Sequence, residues 1–172
     1  MGMTTIRQAT MADYPAIYQL VETAFKTARV SDGTEQDFVE NLRKSDNYLP
    51  ELELVAEVEG VLVGHVMLTK QVIHTATGQR AALLLAPLCV AFDYRNQGIG
   101  GQLMTAVFER AVALSHDAVF LVGDPNYYKQ YGFRHASELG ITNDSEIPDE
   151  FILGMELVPD ALKEVTGSLK ID

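Results

Sequence analysis

Tryptophan is absent from this chain of 172 residues, and cysteine occurs once, as Cys89. A single cysteine excludes an intramolecular disulfide and a cysteine-rich metal site, and it fits a reducing, cytoplasmic setting. Basic residues are scarce: 13 Lys and Arg stand against 24 Asp and Glu, for a formal charge of −11. That balance argues against nucleic-acid binding, which needs cations on phosphates. No apolar run reaches membrane-spanning length, and the longest, Ala81 to Phe92, carries Pro87 in its middle. The N-terminus lacks the basic-then-apolar layout of a secretory signal. Met1-Gly2 fails as a myristoylation signal because position 6 is Ile. Repeats and low-complexity tracts are missing too. His65, His74, His116 and His135 show no metal-ligand spacing, so no metal is expected.

What is present is the composition of one globular domain, 47% apolar and 22% charged. The expectation is a single domain over 1–172, with a core over 4–158 and a tail over 159–172. The acid is unevenly placed. Residues 138–172 hold nine acids and two bases, whereas 91–135 hold four of each. An anionic ligand is repelled least by that middle stretch; the acidic remainder either draws a cationic acceptor or simply solubilises.

Thr4 to Ala9 reads as a strand, and Thr10 with Asp13 as a near capping box for a helix of about four turns bearing Ile17, Leu20, Val21, Ala24 and Phe25. After a polar break at Val30 to Thr34, a second helix is predicted over Glu35 to Lys44. Leu52, Leu54, Ala56 and Val58 alternate with Glu51, Glu53, Glu57 and Glu59, the pattern of a strand with one wet face. Glu59-Gly60 turns it into Val61 to Thr69, an antiparallel hairpin. Ala82 to Phe92 is apolar on both faces and reads as a central strand. A helix follows with Ile99, Leu103, Val107, Ala111 and Leu114 on its buried stripe, then the short strand Ala118 to Val122. Strand, helix and buried strand in succession make a parallel crossover. A brief helix over Pro125 to Tyr131 ends at Gly132, and strands after Phe133 and over Phe151 to Val158 complete the reading.

The chemistry-bearing segment is Arg95-Asn96-Gln97-Gly98-Ile99-Gly100-Gly101, between a buried strand and a helix. The first amides of a helix lack intrahelical partners and, with the positive end of the dipole, bind phosphate oxygens. Glycines allow close approach, and Arg95 can add a charged donor. Gly-x-Gly is also simply a helix entry with close packing. No Lys-Ser or Lys-Thr follows as a P-loop demands, and Leu103 stands where the dinucleotide fingerprint needs its third glycine.

Arg95, Gly98 and Gly100 match the Arg/Gln-x-x-Gly-x-Gly/Ala signature of the GNAT superfamily of N-acetyltransferases, which this pattern resembles. Tyr128-Lys129-Gln130-Tyr131-Gly132-Phe133 matches its second signature, Tyr-x-x-x-Gly-Phe. The order of elements agrees from Thr4 to about Val158. Gly123-Asp124-Pro125-Asn126-Tyr127-Tyr128 ahead of Gly132-Phe133 looks like one bacterial branch of that superfamily. The resemblance implies an α/β (α+β) fold: a mixed sheet of about seven strands, with about four helices and a parallel, splayed fourth and fifth strand. Coenzyme A would lie between those two strands, its pantetheine amides pairing with the backbone of Leu88, Cys89 and Val90. Pro87 agrees, since a proline that cannot donate to a ladder suggests a bulge or break there, although it can also mark an irregularity of no consequence.

By the same resemblance the activity is acetyl transfer from acetyl-CoA to a small-molecule or peptide amine in a ternary complex, and Tyr128 gives its proton to the departing thiolate. A phenol is protonated at neutral pH; Tyr127 and Tyr131 compete for the role, and all three can be packing residues. Many members carry an Asn seven residues before the tyrosine, where this chain has Leu121; Asn126 is the candidate substitute. No general base is evident. His65 can serve directly or through water, or be a satisfied sheet residue. Glu22, Glu35 and Asp37 fall where the family places the acceptor pocket, yet such acids are usually solvated. Cys89 is an acyl-carrying nucleophile or, by default, a small buried hydrophobe. The competing readings are a non-catalytic acyl-CoA sensor and a protein-interaction domain without nucleotide ligand. Oligomeric state is open, a homodimer included.

Overall fold

A computed structural model describes residues 3–26 and 34–171; residues 30–33 of the expected polar break lie outside them. Their residues gather into two compact units, one of Met1–Thr69 with Ala86–Arg110 and one of Lys70–Leu85 with Ala111–Asp172. Sequence reasoning expected one domain over the same chain. None of the described helices is long and apolar enough to cross a membrane.

In the first unit, β1 (Thr4–Gln8) pairs antiparallel with β2 (Tyr48–Val58), and β2 with β3 (Val61–Thr75) across the Glu59-Gly60 turn. The predicted capping box is formed: the Thr10 N–H donates to the Asp13 carboxylate at 2.8 Å. Arg7 grips the same carboxylate through two nitrogens, at 2.7 and 2.9 Å, and also Glu57 on β2. Helix α1 (Tyr14–Phe25) then buries Ile17, Leu20, Val21 and Ala24, the stripe its spacing foretold. These pack with Val55, Met67 and Cys89, while α2 (Glu35–Arg43) adds Val39 to the same cluster. Each Ile, Leu, Val or Met side chain so buried contributes about 1.5–3 kcal/mol. Helix α3 (Ile99–Ala113) covers the other face, with Leu103 and Ile99 standing where a side chain on Gly64 would lie.

One expectation fails here. Glu53 was predicted on a wet face of its strand, yet it is wholly buried, as is Val55 beside it. The α1–α2 cluster packs against that face, so β2 is covered on both sides.

In the second unit, β4 (Gly78–Val90) pairs in parallel with β5 (Ala118–Val122), Leu83 opposite Val119 and Leu84 opposite Phe120. This is the parallel pair the crossover implied. The Ala86–Pro87 peptide is cis. Helix α4 (Pro125–Tyr128) continues as a 3-10 turn and ends at Gly132 in the left-handed region. β8 (Ile152–Glu156) pairs antiparallel with β5 and with β6 (Arg134–His135). β9 (Gly167–Leu169) pairs with the end of β3 and with β7 (Ile141–Asn143). Residues after 158, read as a tail, thus carry a strand, and Leu162, Leu169 and Ile171 are buried with Phe120, Ile141 and Ile152. The described strands number nine rather than about seven. β7 and β9, of three residues each, are too short for a periodic pattern to reveal. The hydrogen-bonded order is β1-β2-β3-β4-β5-β8-β6, a mixed sheet with β7 and β9 off that path.

Candidate active site

In the first unit the end of β4 leads into the glycine-rich turn. Leu88 and Val90 are half-buried and Cys89 is buried. The Ala91 N–H donates to Val63 of β3 at 2.8 Å. A 3-10 turn, Phe92–Tyr94, then delivers Arg95. Its guanidinium donates to the carbonyls of Val90 at 3.1 Å and Ala24 at 2.8 Å, tying the ends of β4 and α1 together. Sequence reasoning offered Arg95 as a phosphate donor; two of its nitrogens are committed to backbone.

Asn96 and Gly98 both sit in the left-handed region, at φ 64° and 82°. Only after that reversal does the helix begin, with the Gln102 N–H on Gly98 at 3.0 Å. The amides from Gln97 to Gly101 therefore precede the first i to i−4 bond, as a helix start requires. Asn96, Gln97 and Gly98 are exposed and Ile99 and Gly100 buried, so the turn presents its backbone while the helix anchors in the core. A Cβ built on Gly98 would meet nothing within 4 Å. That open space over a row of amides fits a diphosphate.

In the second unit, Asp124 caps α4 by accepting from the Asn126 N–H at 2.9 Å. Tyr128 is half-buried, and its ring lies against the bare Cα of Gly123, where an added Cβ would come within 2.6 Å of it. Phe133 and Tyr127 meet the ring edge-on, at 5.6 and 4.9 Å between centroids. Burial and a hydrogen bond with Tyr131 push the Tyr127 hydroxyl well above the ordinary phenol value. Asn126 is exposed and Leu121 is buried.

Burial pushes the Cys89 thiol up to about 12, so it stays protonated and suits the role of a small hydrophobe. Of the three acids suggested for the acceptor side, Asp37 accepts from the Tyr18 hydroxyl at 2.9 Å and Glu22 from Gln36 at 3.4 Å.

A polar cluster in the first unit escaped sequence reasoning. Glu53 accepts from Arg43 at 2.5 to 3.2 Å, from the Tyr48 hydroxyl at 2.6 Å and from His65 Nε2 at 2.8 Å. Tyr14 lies 3.4 Å from the Tyr48 hydroxyl, and the Arg43 guanidinium covers its ring at 3.8 Å. Burial alone would push the Glu53 carboxyl up, but the hydrogen bonds from His65, Arg43 and Tyr48 hold it at about 2. Burial drives His65 the other way, below its ordinary value, so the pair is a carboxylate beside a neutral imidazole. The Glu59-Gly60 hairpin signal brings Glu53 near His65 in outline; the exact register was hidden.

A strand, an amide-lined turn and a helix, within a mixed sheet whose β4 and β5 run parallel, describe an acyl-coenzyme A transferase fold. Residues 5–136 match the Acetyltransferase (GNAT) domain. The chain is 32% identical to the N-acetyltransferase YjhQ of Escherichia coli over 117 residues, 67% of this chain and 65% of YjhQ, and so spans slightly less than two thirds of that relative. It is 29% identical to YhbS of the same organism over 94% of this chain and 92% of YhbS. The structure of YhbS, in complex with CoA, superposes with a TM-score of 0.87 at 25% identity, covering 100% of this chain and 91% of that one. A Brucella melitensis GNAT acetyltransferase, in complex with acetyl-CoA, shares the fold with a TM-score of 0.80 at 23% identity, covering 100% and 97%. The chain belongs to the GNAT superfamily of N-acetyltransferases.

Proposed function

We infer that the protein transfers an acetyl group from acetyl-CoA to the amine of a small molecule or peptide, by direct attack while both are bound. The observation that carries this is the turn from Arg95 to Gly101, whose amides precede the α3 ladder beneath open space at Gly98. In this reading the amides of Asn96, Gln97, Gly98, Ile99, Gly100 and Gly101 hold the pyrophosphate. Arg95, fixed by two carbonyls, brings a positive charge to the same turn. The backbone of Leu88, Cys89 and Val90 pairs with the pantetheine amides, and Asn126 supplies a further polar contact. YhbS bound to CoA supports the assignment. The cosubstrate supplies an activated thioester; the chain aligns it with the amine, the larger share of the acceleration.

Tyr128 holds the proton for the departing thiolate. Its ring is fixed by Gly123, Phe133 and Tyr127, so the hydroxyl has a defined direction. The test is calorimetry with CoA together with free-thiol release from acetyl-CoA over a panel of amines. Tyr128→Phe should slow turnover about 10²-fold while CoA affinity holds. Absence of heat with CoA refutes the cradle. Binding without turnover over a wide panel favours the acyl-CoA sensor, and turnover left unchanged by Tyr128→Phe removes Tyr128 from the acid role.

A further inference from the structure

Among the described residues, one buried side-chain polar atom has no hydrogen-bond partner: Nδ1 of His65. Its position and chemical form are both defined. Glu53 is ionised and accepts from Nε2, so Nε2 carries the ring proton and Nδ1 presents a lone pair. A buried acceptor left without a donor is costly, and a structural filler at this position would avoid it. A carboxylate behind a histidine fixes its tautomer and steadies the imidazolium once a proton arrives at the other nitrogen.

The location agrees. β3 and β4 are joined by a two-residue turn and run antiparallel. The Ala91 N–H on Val63 lays the end of β4 along β3, and the His65 backbone lies beside the Cys89 thiol. Cys89 is the middle residue of the segment assigned to pantetheine. Glu53 of β2 meets the ring and is itself bonded by Tyr48 of β2 and Arg43 of α2, whose guanidinium lies over Tyr14 of α1, while Cys89 of β4 lies by the His65 backbone. The Arg43 charge is matched by Glu53, while burial keeps the Cys89 thiol and the Tyr48 phenol protonated, which leaves the bare Nδ1 of His65 as the basic lone pair of this cluster.

We propose that His65, oriented by Glu53, is the proton relay of the reaction, taking through one water the proton that an acceptor ammonium must lose before it attacks. This rests on the transferase reading above. The ammonium N–H bond breaks and its proton passes to Nδ1, giving an imidazolium paired with Glu53. The neutral amine then forms the C–N bond as the C–S bond breaks. The thiolate takes the Tyr128 proton, the second proton leaving the new amide nitrogen restores Tyr128, and His65 returns its proton to solvent. The balance is one amide, one free thiol and one proton released.

The deciding experiment is kcat/KM against pH for the wild type and His65→Gln, with an amine that the wild type acetylates. Glutamine keeps a donor for Glu53 but has no basic nitrogen. The wild type should show an acid limb below the ordinary histidine value of about 6.5. His65→Gln should lose about 10²-fold at neutral pH and recover as pH approaches the amine's own pKa, with CoA affinity unchanged. A merely structural role would depress the rate equally at every pH. Parallel profiles, or an unchanged rate, overturn the relay and leave the transferase standing; a wild type without turnover overturns both. Should His65→Gln fold poorly, the wild-type imidazole ¹⁵N shifts decide: the relay requires the Nε2–H tautomer, and an Nδ1–H tautomer refutes it.

Discussion

At Glu53 the energetics of single residues are plainest, because a carboxylate at full burial survives only if its oxygens are matched. Arg43, Tyr48 and His65 do that matching. Such a group is weak evidence of net stability, but its removal is expensive, since the Arg43 charge is left buried without its counter-ion. Glu53→Gln should therefore cost about 3–5 kcal/mol, read by urea unfolding at neutral pH. The pH dependence has a definite sign. The carboxyl is held at about 2 in the fold against an ordinary 4.5, so its contribution is present above the ordinary value and is lost as pH falls towards 2. Wild-type stability should fall through that window, and Glu53→Gln should flatten the fall. An equal slope in both proteins would mean that other carboxylates dominate.

Among the elements, the start of α3 joins a backbone requirement to the proposed binding function. Gly98 has φ 82°, a conformation that costs an L-residue roughly 1–2 kcal/mol. A Cβ there meets no protein atom, so Gly98→Ala is not opposed by packing. The new methyl stands in the space assigned to the diphosphate. Gly98→Ala should thus lower stability by about 1 kcal/mol in thermal unfolding and weaken CoA by about tenfold or more in calorimetry. Unchanged affinity would move the diphosphate elsewhere. Arg95 illustrates the same economy: its side chain fastens the turn to α1 and β4, while the assigned contacts come from main chain.

For the whole molecule, the last residues bear on the second unit. Leu162, Leu169 and Ile171 are buried beside Phe120 and Ile141, and β9 bridges β3 and β7. Each buried aliphatic contributes about 1.5–3 kcal/mol, a large share of the roughly 5–15 kcal/mol that keeps a domain folded. Removing residues 159–172 should abolish a cooperative thermal transition in circular dichroism. A truncated chain melting within a few degrees of the full one would show that this segment is peripheral.

The sequence by itself determined the features written in local chemistry. The α1 stripe, the Thr10–Asp13 cap, the Glu59-Gly60 hairpin, the parallel crossover and the turn at Gly98 follow from periodicity, capping and backbone freedom, and the family from two short motifs. It could not show what lies over each strand face or which strand residues stand opposite one another. Near the turn Val58 faces Val61 and Glu57 faces Leu62, but one residue is then inserted, and Ala56 faces Gly64 and Val55 faces His65. Without that bulge His65 would share its face with Leu54; with it, His65 shares a face with Glu53. Alternation along one strand is blind to a one-residue slip in its neighbour and to helices arriving from elsewhere in the chain. The tertiary structure alone therefore turned an apparently solvated glutamate and an isolated histidine into a buried pair.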